Sequence, residues 1–158
     1  VNTADNQQPA TGNPRSARSG TWRDGWFVVP HDVIFRDIDA FGHVNNAVFL
    51  TYFEIARTLL WFDVSGGSAP RDIAFIVVRA ECDFRMQVGM EPIEIRVRFG
   101  ELRATSFDTL YEIRKNGGRE LAATGKVVVV LFDWARQSKM PISDDLRRRV
   151  AECNPVAS

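Results

Sequence analysis

Between Ala47 and Phe62 the only clearly polar residues are Thr51, Glu54, Arg57 and Thr58. An apolar segment of that length with so narrow a polar stripe predicts one long helix, buried around most of its circumference. Asn45 or Asn46, just ahead of it, supplies an N-cap oxygen for the first turn. Elsewhere the period falls to two. Trp26 to Arg36 is rich in β-branched and aromatic residues and reads as a strand, with Pro30 at an edge or bulge. Ile73 to Phe84 begins as an apolar run, then alternates Arg79, Glu81 and Asp83 with Ala80, Cys82 and Phe84. Ile93, Ile95, Val97 and Phe99 alternate cleanly with Glu94, Arg96 and Arg98. Phe107 to Lys115 and Leu121 to Phe132 flank Asn116-Gly117-Gly118, residues that tolerate the positive φ of a hairpin turn. Val127 to Val130 is apolar on both faces, so cover is expected on both, the second from another subunit. Ser65 to Pro70 is a connector. A short helix follows Ser143, with Asp144 and Asp145 at its start and Arg147 to Arg149 near its end, as the helix dipole favours. The order is strand, long helix, then four strands able to run antiparallel. That is an α+β chain in which one helix finds its cover from one antiparallel sheet.

The chain has 158 residues, enough for one domain with a real core. Residues 1–24 are small and polar and are expected to form a flexible N-terminal extension. The body is expected over 25–152, with a short tail at 153–158. No segment matches the apolar core of a secretory signal, and no run approaches transmembrane length. Lys plus Arg total 20 and balance 20 Asp plus Glu, so neither a nucleic-acid footprint nor a polybasic membrane patch is expected. Cys82 and Cys153 lack Cys-x-x-Cys spacing, which argues against a disulfide framework or a thiolate metal site. Reduced thiols in a cytoplasmic protein are the expectation.

The candidate chemistry is concentrated before the long helix. Asp37, Asp39, His43, Asn45 and Asn46 share one short loop, and the helix N-terminus points its free N–H groups and positive dipole end at them. Fixed donors beside a base are what acyl transfer needs. Asp39 is the leading candidate, with an Asx turn as its plainer role. Asp37 stands two residues away, where it can share a proton with Asp39 or cap the loop. His43 can orient Asp39, bind a thiolate leaving group or position water. Glu54 and Arg57 are spaced for an i,i+3 ion pair. His31 and His43 are separated, and Asp37, Asp39 and His43 have no recognised ligand spacing, so neither metal nor cofactor is expected. A Gly-x-Ser-x-Gly nucleophile elbow is missing.

Asp37-x-Asp39-x-x-Gly42-His43-Val44-Asn45-Asn46, followed by a helix carrying Tyr52-x-Glu54-x-x-Arg57, resembles the hotdog-fold acyl-CoA thioesterases of the 4-hydroxybenzoyl-CoA thioesterase type. The motif is also similar to that of plant acyl-ACP thioesterases, which share the Asp and His-Val-Asn-Asn. Ser106-Phe107, Tyr111-Glu112-Ile113 and Met140 to Leu146 sit where the family has similar segments, extending the resemblance from Val28 to Val150. It implies a hotdog fold, an antiparallel sheet wrapped around one central helix. It also implies Asp39 as nucleophile or general base, His43 in support, and a backbone N–H at Asn46 polarising the thioester carbonyl. Asn45 and Phe41 become substrate contacts, Phe41 standing where the plant enzymes carry an Asn. Arg103, beside Ser106, becomes a contact for CoA phosphate. Glu54 is a rival carboxylate, because some hotdog thioesterases carry theirs on the helix. The implied substrate is an acyl-CoA or an acyl-carrier-protein thioester, bound between the subunits of a homodimer or homotetramer. Hotdog hydratases use Asp-x-Asn-Pro-x-His, whereas Asp39 to His43 is one residue shorter and lacks the Asn-Pro. A hydratase or dehydratase, and a non-catalytic acyl-thioester binder, are the alternatives.

Overall fold

The computed structural model describes residues 20–154. Strands β1 (Thr21–Arg23) and β2 (Trp26–Asp32) form a tight hairpin, its turn made by Asp24 and Gly25 at φ 52° and 74°. The main helix α1 (Asn46–Ser65) follows, then β3 (Phe75–Phe84), β4 (Pro92–Leu102), β5 (Ser106–Lys115) and β6 (Glu120–Asp133). A two-residue strand β7 (Ser138–Lys139) pairs with β6, and α2 (Asp144–Cys153) closes the described chain. The sheet order is β1-β2-β4-β5-β6-β3, with every pairing antiparallel. This is the hotdog arrangement, one long helix held against one antiparallel sheet.

Side-chain period explains the layers. Along β4, Ile93, Ile95, Val97 and Phe99 are buried, while Glu94, Arg96 and Arg98 lie half-buried on the outer face. There Glu94 stands opposite Arg114 and Arg96 opposite Glu112, so facing charges are of opposite sign. Helix α1 starts at Asn45, whose side chain accepts the Ala47 N–H at 2.9 Å. It ends at Gly66, whose φ of 78° is the left-handed cap conformation and whose N–H reaches the Phe62 carbonyl. Phe49, Phe53, Ala56 and Leu60 are buried at helical spacing, and the Phe53 ring stacks on Tyr111 at 4.2 Å. A Cβ at Gly125 would fall 2.3 Å from the Phe53 ring, so glycine there lets helix and sheet approach closely. Trp61, Phe75, Phe99 and Phe107 fill the far end of this core in a chain of ring contacts. No helix among the described residues is long and apolar enough to cross a membrane.

Several expectations are corrected. Thr21 to Arg23, not singled out as a strand, form β1 and pair with β2. Residues 1–19 of the expected extension and 155–158 of the expected tail lie outside the described residues. The first long strand stops at Asp32 instead of Arg36, because Phe35 to Asp37 form a 3-10 turn stapled by the Ile34 N–H to Asp37 Oδ2 at 3.2 Å. The polar stripe of α1 is split. Thr51 and Glu54 are exposed, whereas Arg57 is buried and donates to the Tyr111 hydroxyl, so the expected Glu54–Arg57 pair is not formed. On the outer face of β6, Val130 is buried within the chain itself, while Val128 is half-buried. Strand β3 pairs with β6 along one edge only, and Val77 and Val78 on it are 45% and 55% exposed.

Candidate active site

The loop ahead of α1 is a small knot of backbone hydrogen bonds. Ile38 and Val44 form an antiparallel bridge, and inside it the Asp39 N–H donates to the His43 carbonyl at 2.9 Å. The Gly42 N–H returns to the Asp39 carbonyl at 3.0 Å, with Gly42 at φ 81°, a conformation that side chains resist. Two staples fix the knot to the body. The Val44 N–H donates to the Val88 carbonyl, and the Asn45 N–H donates to the Asp37 carbonyl.

Asp39 performs the plain role and remains placed for the chemical one. Its Oδ1 accepts the Phe41 N–H at 2.8 Å, an Asx turn that locks the side chain. The residue also lines a cleft of about 630 Å³ together with Phe41, His43, Asn45 and Asn46. The opposite wall comes from Phe49 on α1 and from Phe84, Met86 and Val88 at and beyond the end of β3. Phe49 and Phe84 meet edge to face at 5.1 Å. One carboxylate, one imidazole and the start of a 20-residue helix therefore share one concavity.

Asp37 does not share it. The 3-10 turn directs Asp37 to the other side of the knot, where it is buried and its Oδ2 accepts the Tyr52 hydroxyl at 2.9 Å. That groove is walled by His31, Thr51 and Ile55. Burial, then the hydrogen bond to and charge of Asp37, push the Tyr52 phenol well above its ordinary range, so it acts as a fixed donor. Of the two roles open to Asp37, the loop-capping one is built, through the Ile34 N–H on its Oδ2 at 3.2 Å, and a proton shared with Asp39 is not.

Arg103 and Ser106 line no part of this cleft. Arg103 is held by Asp108 at 2.8 and 3.1 Å and by Glu101 at 2.8 Å, with Lys126 also on Asp108. Burial acts to raise the Asp108 carboxyl, but its bonds to Arg103 and Lys126 outweigh that, and the net shift is downward. Glu54 is exposed on α1 and stands outside the cleft as well. The apolar wall of Phe84, Met86 and Val88 was not singled out from the sequence. Its one signal is that Phe84, Met86, Val88 and Met90 keep the period of two beyond the end of β3.

Comparison with known proteins agrees with this architecture. Residues 33–150 match the family model of the thioesterase-like superfamily. Over 99 residues, 62% of this chain and 67% of the other, the chain is 31% identical to the uncharacterized protein YsmA of Bacillus subtilis (strain 168). A thioesterase from Thermus thermophilus, solved in complex with coenzyme A and Zn, superposes with a TM-score of 0.73 at 30% identity, covering 84% of this chain and 98% of that one. Slr0204, a 1,4-dihydroxy-2-naphthoyl-CoA thioesterase from Synechocystis, gives a TM-score of 0.70 at 20% identity over 80% and 96% of the two chains, a likeness of fold alone. Knot, central helix and sheet all fall within the matched stretch, and the chain belongs to the thioesterase-like superfamily.

Proposed function

We propose that the protein hydrolyses an acyl-CoA thioester to the free carboxylic acid and CoA, with Asp39 as nucleophile or general base. The observation that carries this reading is the Asx-locked Asp39 facing the same cleft as the first turn of α1. At that turn the Asn46 N–H has no intrahelical acceptor and sits at the positive end of the dipole. It stabilises the oxygen of the thioester carbonyl as negative charge develops there. As general base, Asp39 takes a proton from water, the hydroxide adds to the carbonyl carbon, and the C–S bond breaks. As nucleophile, its oxygen displaces the thiolate to form an acyl anhydride, which water then opens. In either course His43 delivers a proton to the departing sulfur. Phe41, Phe49, Phe84 and Met86 supply apolar surface for the acyl group.

Coenzyme A in the Thermus thioesterase favours CoA over a carrier protein as the thiol carrier. The open edge of β3, with its exposed valines, supports a homodimer in which a second copy pairs along that edge and closes the cleft. Incubating the protein with a panel of aromatic and aliphatic acyl-CoAs, while following thiol release and the mass of the acid, tests the activity. Free acid and CoA in equal amounts are expected from at least one member. An unsaturated or hydrated CoA product would assign a dehydratase or hydratase, and tight binding without turnover would assign a binding protein.

A further inference from the structure

Arg57 takes no part in this chemistry, and its surroundings are unusual for a cation. It is 8% exposed, with its guanidinium carbon 5.7 Å from the centre of the Phe75 ring. Nη1 donates to the Tyr111 hydroxyl at 3.3 Å, while the buried Nε has no acceptor. The seam beside it, walled by Leu60, Trp61 and Phe107, is too narrow for a water molecule. Among the described residues no carboxylate pairs with Arg57. A phenol and an aromatic face do not replace a counter-ion, and a buried charge without one is costly. Glu54, one turn earlier and exposed, forms no ion pair among the described residues either.

The geometry of the open edge says where Glu54 goes in a dimer. Strand β3 and helix α1 run in opposite directions, anchored by Phe49 on Phe84 at 5.1 Å and by Trp61 on Phe75 at 5.3 Å. If β3 pairs with its own copy over its full length, Phe75–Phe84, the twofold axis falls between Arg79 and Ala80. The α1 position midway between Phe49 and Trp61 is Ile55, so the same axis passes one residue from Glu54 and two from Arg57. Leu50, 45% exposed, lies one turn before the exposed Glu54, so the stripe that carries Glu54 is uncovered beside the buried Arg57. Two antiparallel α1 helices related by that axis bring residue 54 of each towards residue 57 of the other.

We propose that Glu54 of the partner subunit is the missing counter-ion of Arg57, so that two reciprocal pairs lock the dimer across its axis. This rests on the dimeric reading above and is independent of the thioester chemistry. The same side chains that look like a pair within one helix act instead between helices.

Native mass spectrometry and sedimentation of the full chain test it without substrate. The wild type is a dimer, and Glu54→Gln, a substitution at an exposed site, weakens its association about tenfold or more. Mixing Glu54→Gln chains with Arg57→Gln chains is the decisive arm, because only a pair formed between subunits is restored once in the mixed dimer. Mixed dimers then exceed the statistical half of the population. Unchanged association in Glu54→Gln overturns the proposal, and that result is also expected if an anionic substrate group neutralises Arg57. Statistical mixing overturns it too. Should Arg57→Gln fail to fold, the Glu54→Gln association constant decides alone. A monomeric wild type removes this proposal and the dimeric reading together and leaves acyl-CoA hydrolysis to its own assay.

Discussion

Asp39→Asn lowers kcat for acyl-CoA hydrolysis by about 10²–10⁴-fold, with KM nearly unchanged. The size follows from what the substitution keeps. The amide oxygen of Asn accepts the Phe41 N–H that Asp39 Oδ1 now accepts at 2.8 Å, so the Asx turn and the knot around it persist. The cleft walls and the Asn46 N–H stay where they are, so the proposed acyl-CoA substrate is still expected to bind. What disappears is the carboxylate oxygen that, in the proposed mechanism, attacks the carbonyl or takes the proton from water. Asp39→Ala would remove the turn together with the charge and confuse the two roles. Thiol release by the purified Asn variant, alongside a circular dichroism spectrum matching the wild type, measures the effect cleanly. An Asn variant that hydrolyses at the wild-type rate would reduce Asp39 to its turn-forming role.

Phe53→Ala costs about 3–5 kcal/mol of unfolding free energy. Phe53 is fully buried, stacks on Tyr111 at 4.2 Å, and fills the space that Gly125 leaves open on β6. Truncation removes the ring from both contacts, and the sheet on one side and the helix backbone on the other restrict collapse of the void. The loss comes at the middle of α1, the element whose first turn floors the cleft, so activity falls with stability. Urea unfolding at one fixed protein concentration measures it, because association would make the midpoint depend on concentration. A loss below about 1 kcal/mol would mean that the helix–sheet contact relaxes far more readily than close packing allows.

The parts of the fold that were legible in the chain are those set by neighbours in sequence. Alternation in β4 is a property of seven adjacent residues, and the hairpin at Asn116 to Gly118 follows from residues that accept φ of 53°, 64° and 82°. The apolar stretch ending at a glycine announced α1 for the same reason. Distant partners account for the misses. Strand β1 is three residues of mixed polarity, and only the facing Trp26 to Val28 make it a strand. Asp37 and Asp39 look alike as neighbours two apart. The Ile38–Val44 bridge, stapled to Val88, parts them, leaving Asp37 with Tyr52 and Asp39 in the cleft. Spacing alone allowed Glu54 to meet Arg57, yet Tyr111 on β5 and Phe75 on β3 hold Arg57 away. Phe84 and Met86 carried only a continued period of two, which marks a strand and not a site, because a cleft wall is defined by the element across from it.

Infrared spectroscopy of a thioester labelled with ¹³C at its carbonyl, bound to the Asp39→Asn variant, addresses the arrangement of carbonyl and helix directly. The proposed geometry requires the carbonyl stretch to move to lower frequency on binding and the Asn46 amide resonance to shift as the complex saturates. A carbonyl that keeps its solution frequency, with an Asn46 amide that does not move, would contradict it.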